Sequence, residues 1–177
     1  MEDNLYLKPI NLEDCDKEYE ALQKIPADEN GFQNKYASVS KEEFVNTVIP
    51  NLIKSSQGID VPEGKVPDTY FFLWNNDTIV GLFKVRHYLN EKLRNGAGHI
   101  GFGILPEQRR KGYATIGLAL AIEELKKVIK EDEIYMSCEK DNDASLKAQL
   151  NNGAYIHHSD NSHFYTRINL KAEQEAE

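Results

Sequence analysis

The 177-residue sequence predicts one α/β domain, a mixed sheet with helices on both faces. Three observations carry that reading. The apolar spacing changes from a helical period to a period of two, and back again, along the chain. The resulting elements run β-α-α-β-β-β-α-β-α-β-β. Length and composition, with 40% hydrophobic and 28% charged residues, suit a single core-bearing domain over residues 1–170 and a frayed acidic tail at 171–177.

Residues 5–8 read as the first strand. Asn11 is placed to cap a helix whose apolar stripe is Leu12, Cys15, Tyr19 and Leu22. A second helix opens at Ser40, where Ser40 and Glu43 form a capping box ahead of Phe44, Val45, Val48 and Leu52. Pro50 is expected to kink or end that helix. Residues 57–68 form a loop rich in Gly and Pro. Strands at 70–74 and 79–88 are joined through Asn75, Asn76 and Asp77, a hairpin link. Tyr70, Phe72 and Trp74 alternate along the first of these and read as core.

A third strand spans 98–105, with Gly101 and Gly103 inside it. The helix at 113–130 buries Leu118, Ile122, Leu125 and Ile129. A buried strand at 134–138 follows, then a helix from 141–143 that stops at Asn152-Gly153. Strands at 154–158 and 163–168 close the domain.

The net charge of -8 argues against a nucleic-acid partner, which needs a basic face, and favours cationic partners such as amines. No apolar run is long enough to span a bilayer and no basic-then-apolar leader opens the chain, so no membrane role and a cytoplasmic location are expected. The two cysteines, Cys15 and Cys138, lack metal-type spacing and read as free thiols. His157, His158 and His163 lie near Asp160, but neighbouring strand residues point to opposite faces. No metal site is expected there.

The chemistry concentrates between Gly98 and Thr115. A strand runs into a loop carrying Arg109, Arg110 and Lys111, then Gly112, then a long helix. The first amides of such a helix lack internal partners and, with the helix dipole, form an anion site. Gly112 lets the backbone approach a ligand, and a phosphate or pyrophosphate is the natural guest. The amides of Tyr113, Ala114 and Thr115 belong to the same cradle.

Arg109-x-x-Gly112-x-Ala114 after a strand resembles the Gln/Arg-x-x-Gly-x-Gly/Ala signature of the GCN5-related N-acetyltransferases, with Pro106 where that superfamily often has Val-x-Pro. The likeness extends over residues 70–153. It includes Asn142 at a helix start and the helix ending Gly153-Ala154. The run 86–90 with 98–101 is similar to a bacterial subgroup of acetyltransferases. The resemblance implies a single-domain fold with a mostly antiparallel sheet of about six to seven strands and a splayed cofactor cleft. It implies acetyl-CoA as acyl donor, with Asn142 and Ser145 beside it and an amide near Ile104 holding the acyl carbonyl. The strand carrying Gly101 and Gly103 would bulge and part from its neighbour to admit the pantetheine arm. Direct transfer to a small-molecule or peptide amine is the implied activity.

Amine transfer needs a proton acceptor, and His99 is the leading candidate, with His87 second. A hydrogen-bonded structural role for each stands beside that reading. The superfamily's usual acid, a Tyr seven residues after the Asn, is here Gln149, which cannot act as one. Tyr113 and Tyr155 are the substitutes to examine. That departure also motivates a second reading, a non-catalytic acyl-CoA-binding or sensing module. The final strands offer an edge for a homodimer.

Overall fold

The computed structural model describes residues 1–175. Seven strands form two antiparallel sheets. The first has the order β1 (Leu5–Pro9), β4 (Asp68–Asn75), β5 (Thr78–Arg86), β6 (Ile100–Ile104). The second has the order β7 (Glu133–Glu139), β9 (His163–Asn169), β8 (Tyr155–Ser159), and a small hairpin, β2 (Asp28–Glu29) with β3 (Phe32–Gln33), stands apart. The count agrees with the six to seven strands expected, divided between two sheets.

Alternation on β4 sorts the two halves of the core. Phe71 and Leu73 face α4 (Tyr113–Lys126) and α5 (Asp143–Asn151), together with Phe83, Leu118, Leu125 and Met136. Tyr70, Phe72 and Trp74 face the opposite way, onto α1 (Cys15–Lys24) and α2 (residues 41–56) with Leu22, Phe44 and Ile49. Helices therefore cover both faces, and the three aromatic residues are core as expected.

The first two helices differ from the sequence reading. Asn11 Oδ1 accepts the Asp14 N–H at 2.9 Å, which makes a turn ahead of α1 and leaves Leu12 exposed outside it. Ser40 Oγ does accept the Glu43 N–H at 3.1 Å. Pro50 neither ends nor breaks α2. A π-turn at Phe44–Val48, closed by the Ile49 N–H on the Phe44 carbonyl, precedes it and takes up the bonding that a proline cannot supply.

Three further details refine the chain ends and links. Residues 91–94 form a short helix, α3 (Glu91–Arg94), capped by Asn90. Lys171–Gln174, within the tail expected to fray, makes one helical turn, α6, and residues 176 and 177 lie outside the described residues. A bulge between Ile156 and His158 turns two neighbours together, so that His157 Nδ1 and His158 Nδ1 sit 2.8 Å apart instead of on opposite faces.

The two sheets meet at one point. Gly98 bridges Met136, and the His99 N–H donates to the Tyr135 carbonyl at 2.7 Å. Gly98 is required there on two counts. Its φ is +68°, and a Cβ would lie 2.1 Å from the Tyr135 oxygen. Beyond this contact no pairing joins β6 to β7 among the described residues. The sheet splays as expected, yet β6 holds unbroken register with β5 from Ile100 to Ile104, so the expected bulge in that strand is not present.

Candidate functional site

A cleft of about 1380 Å³ opens where β6 leaves β7. One end is walled by β6, the start of α4, β7 and the start of α5. The other reaches Tyr36, Asp68, Tyr70, Lys84 and Arg86, with hairpin β2–β3 alongside.

Main-chain groups build the first end. Arg86 N–H donates to the His99 carbonyl, and Leu105 N–H to the Val80 carbonyl, which sets the odd-numbered residues of β6 toward β5. Phe102 and Ile104 therefore direct their amides the other way, toward the gap. Gly101 and Gly103 occupy a third direction, under the ring of Phe32, where a Cβ at Gly103 would touch it at 3.5 Å. Those glycines accommodate an aromatic side chain from the hairpin.

After β6 the chain turns through Arg110 (φ 64°) and Gly112 (φ 80°) into α4. The first intrahelical bond is Ile116 N–H to the Gly112 carbonyl, so the amides of Tyr113, Ala114 and Thr115 precede it and have no helical acceptor. Nothing lies within 4 Å of a Cβ built on Gly112, so its place is set by backbone conformation and open approach.

The three loop cations are arranged differently from one another. Arg109 is committed to the protein: Nε donates to the Ile104 carbonyl at 3.1 Å, and the guanidinium makes a bidentate pair with Glu29 at 2.7 and 3.0 Å. That pair raises the pKa of Arg109 and lowers that of Glu29. Lys111 Nζ donates to Gln108 Oε1 at 2.9 Å. Arg110 lines the cleft with no side-chain partner among the described residues. Across the gap, Asn142 caps α5 through the Ser145 N–H at 3.2 Å, and both residues line the cleft.

The side chains expected to move protons lie elsewhere. His99 is fully buried, its Nδ1 accepts the Tyr135 N–H at 2.9 Å, and its Nε2 faces Glu131 at 3.0 Å. An acceptor at Nδ1 fixes the proton on Nε2, and burial lowers the pKa despite the Glu131 bond. Both ring nitrogens of His99 are thus used within the fold, and the residue does not line the cleft. It pins the sheet junction. His87 is bonded to Thr69 Oγ1 at 2.8 Å and also lies outside the cleft.

Gln149 is a buried brace between α5 and the second sheet. It donates to the Ser137 carbonyl and Ser145 Oγ, and accepts the Thr166 hydroxyl at 2.6 Å. The Tyr113 hydroxyl is turned toward Asn75 and Asp3, and the Tyr155 hydroxyl donates to Glu133. Cys138 does line the cleft, but burial pushes its thiol up to about 11, which leaves it protonated and poorly nucleophilic.

The sequence reading missed the far end. Asp68 pairs with Lys84 at 3.4 Å and accepts the Ser55 hydroxyl at 2.9 Å. Burial, with Arg86 beside it, pushes the Lys84 pKa down to about 8. Tyr36 and Tyr70 meet edge to face with centroids 6.0 Å apart, and burial raises the pKa of each hydroxyl. The available signal was the pair Lys84 and Arg86, two charges at alternate positions of an otherwise apolar strand.

A split sheet opening onto an unpaired helix start is the architecture of an acetyltransferase fold. Residues 36–148 match the Acetyltransferase (GNAT) family, and the chain belongs to it. Solved structures agree on the fold. The ribosomal-protein-S5-alanine acetyltransferase of Vibrio fischeri is similar with a TM-score of 0.69 at 13% identity, covering 96% of this chain and 94% of that one. The microcin C7 self-immunity acetyltransferase, solved with acetyl-CoA and AMP, gives 0.67 at 16% identity, covering 95% and 93%. The spermidine N-acetyltransferase of Vibrio cholerae, solved with CoA and spermine, gives 0.61 at 14% identity, covering 94% and 96%. No curated protein matches the chain significantly. No helix among the described residues is long and apolar enough to cross a membrane.

Proposed function

We propose that this chain transfers an acetyl or other short acyl group from acetyl-CoA to a primary amine, by direct attack in a ternary complex in the cytoplasm. The carrying observation is the gap between β6 and β7, whose outward amides lead to the unpaired start of α4. The donor set fits the group. The amides of Tyr113, Ala114 and Thr115 would hold the pyrophosphate, with Gly112 giving access and Arg110 and Lys111 adding charge. Arg109 steadies that loop through Ile104 and Glu29. Asn142 and Ser145 would border the pantetheine arm. The Ile104 amide would donate to the acyl carbonyl and stabilise the charge that develops as the amine attacks.

No histidine lines the cleft among the described residues, so the amine would enter already deprotonated or lose its proton to water. The rate should then rise with pH toward the amine's own pKa, without a step near 6.5. Tyr36 and Tyr70, kept protonated by burial, are the hydroxyls available as donors. Direct attack is preferred to a covalent enzyme intermediate because the Cys138 thiol is held protonated.

Release of the CoA thiol with a panel of amines tests the reading. Amine-dependent release is expected. Tight acetyl-CoA binding by calorimetry with no release for any amine would overturn transfer and leave a binding or sensing module, the reading favoured by the engagement of both His99 and Gln149 in structural bonds. We also place a homodimer contact at β8, an exposed edge strand, and sedimentation would test it.

A further inference from the structure

The charge of the cleft is opposite to that of the chain. The protein carries a net charge of -8, yet eight cationic side chains and three carboxylates line this one cavity among the described residues. Each carboxylate already has its own cation. Asp68 pairs with Lys84 at 3.4 Å, Asp60 with Lys54 at 3.4 Å, and Glu29 with Arg109 at 2.7 Å.

The surplus is not spread evenly. Lys35, Lys65 and Arg86 gather at the end away from α4, and none lies within ion-pair distance of a carboxylate among the described residues. Arg86 is half-buried, with Gly98 C=O as its hydrogen-bond acceptor at 3.1 Å. Lys35 and Lys65 stand exposed at the mouth. Desolvation and the like charges of Lys65 and Arg86 lower the pKa of Lys35, outweighing Asp68, whose charge acts on both Lys35 and Arg86 in the opposite sense. Holding like charges together at a partly desolvated site costs free energy that an anion would return.

Position along β6 sets the ligand's length. Lys84 sits opposite Gly101, and Arg86 N–H bonds to His99, whereas the Ile104 amide lies three residues farther on, about 10 Å along the strand. Gly101 has no side chain to obstruct the path beside Lys84.

We propose that the acceptor amine carries an anionic group, a carboxylate or a phosphate, several bonds from its nitrogen, which Arg86, Lys35 and Lys65 bind beside Lys84. This rests on the acetyltransferase reading and names the substrate class for the same cleft. Polyamines are disfavoured substrates, because their second ammonium would meet this cluster.

Four amines of one tether length test it: hexylamine, 1,6-diaminohexane, 6-aminohexanoate and 6-aminohexyl phosphate, with CoA thiol release as the readout. The kcat/KM for the two anionic amines is expected to exceed that for hexylamine at least ten-fold, and the diamine is expected to be the poorest. Whichever anionic amine is better identifies carboxylate or phosphate as the natural group. Arg86→Met should raise KM for both and collapse the ratio, while Arg86→Lys keeps most of it. Lys65→Met, at an exposed position that cannot unfold the protein, should raise the same KM two- to five-fold. Equal or better turnover of the diamine overturns the proposal. If no amine turns over, calorimetry of 6-aminohexanoate on the acetyl-CoA-loaded protein separates the two readings. Binding weakened two- to five-fold in Lys65→Met keeps the anion site and rejects transfer, and no binding, or binding unchanged in Lys65→Met, rejects both.

Discussion

The two ends of the cleft are made of different material. At the α4 end the free polar groups are main-chain amides, from Phe102 and Ile104 to Thr115, and the Arg109 side chain holds the loop in place. At the β5 end the backbone is fully paired, and the chemistry is carried by Lys84, Arg86, Asp68, Tyr36 and Tyr70. A backbone site is fixed by folding and recognises a group common to all its donors. A side-chain site can be rewritten one residue at a time, so on the proposed reading it is where acceptor choice would be recorded.

The contrast can be broken most severely at the sheet junction. Gly98→Val would set a side chain 2.1 Å from the Tyr135 oxygen on a left-handed backbone, and a loss of about 3 kcal/mol or more is expected by chemical denaturation. A well-folded variant with unaltered acetyl-CoA binding would show that the junction does not set the gap.

His99→Gln comes next. It strips the Tyr135 N–H of its acceptor and Glu131 of one partner, leaving it Leu89 N–H and Arg94, for a stability loss of about 2 kcal/mol with kcat within two-fold of the parent. The pH sign follows from the lowered pKa. The unfolded chain binds the His99 proton more readily, so this contribution is present above about 6.5 and is lost as pH falls below it. Thermal melts from pH 5 to 8 should show that slope in the parent and lack it in the variant. A hundred-fold fall in kcat at unchanged stability would restore His99 as the base.

Gly112→Ala tests the backbone end more gently. It meets no neighbour and costs only the left-handed conformation, about 1 kcal/mol, with acetyl-CoA affinity weakened roughly five-fold by calorimetry. At the other end, hexanoate serves as an anion that cannot be acylated. Its affinity is expected to fall several-fold as pH rises through about 8, where Lys84 gives up its charge. Lys84→Arg should flatten that profile, and a flat profile in the parent would exclude Lys84 from the anion's surroundings. The smallest effect belongs to Lys35→Met. Relief of like-charge contact should leave the melting temperature unchanged or raise it by a degree or two, while a fall would mean that Lys35 has a stabilising partner.

Legibility followed the same division. The strand, loop and helix around Gly112 could be read because a glycine and a long apolar helix follow one another in sequence, and the unpaired amides at the helix start follow from that order. The core aromatics of β4 were legible from period alone. The setting of His99 was not legible because its partners, Glu131 and Tyr135, are 32 and 36 residues away and only the fold joins them. The cationic cluster draws Lys35, Lys65 and Arg86 from three separate segments, so no window of sequence contains it. At Pro50 the helix continues, but only after a wider π-turn at Phe44–Val48, a form that α-helix propensity does not describe.

The unpaired amides of β6 and α4 have a consequence for descent. A donor that belongs to the main chain survives exchange of nearly every side chain around it, provided the turn at Arg110 and Gly112 can still form. The solved structures above share the fold over more than nine-tenths of each chain at 13–16% identity, a level at which few side chains are held in common. A groove built from main-chain groups can outlast the letters that first spelled it.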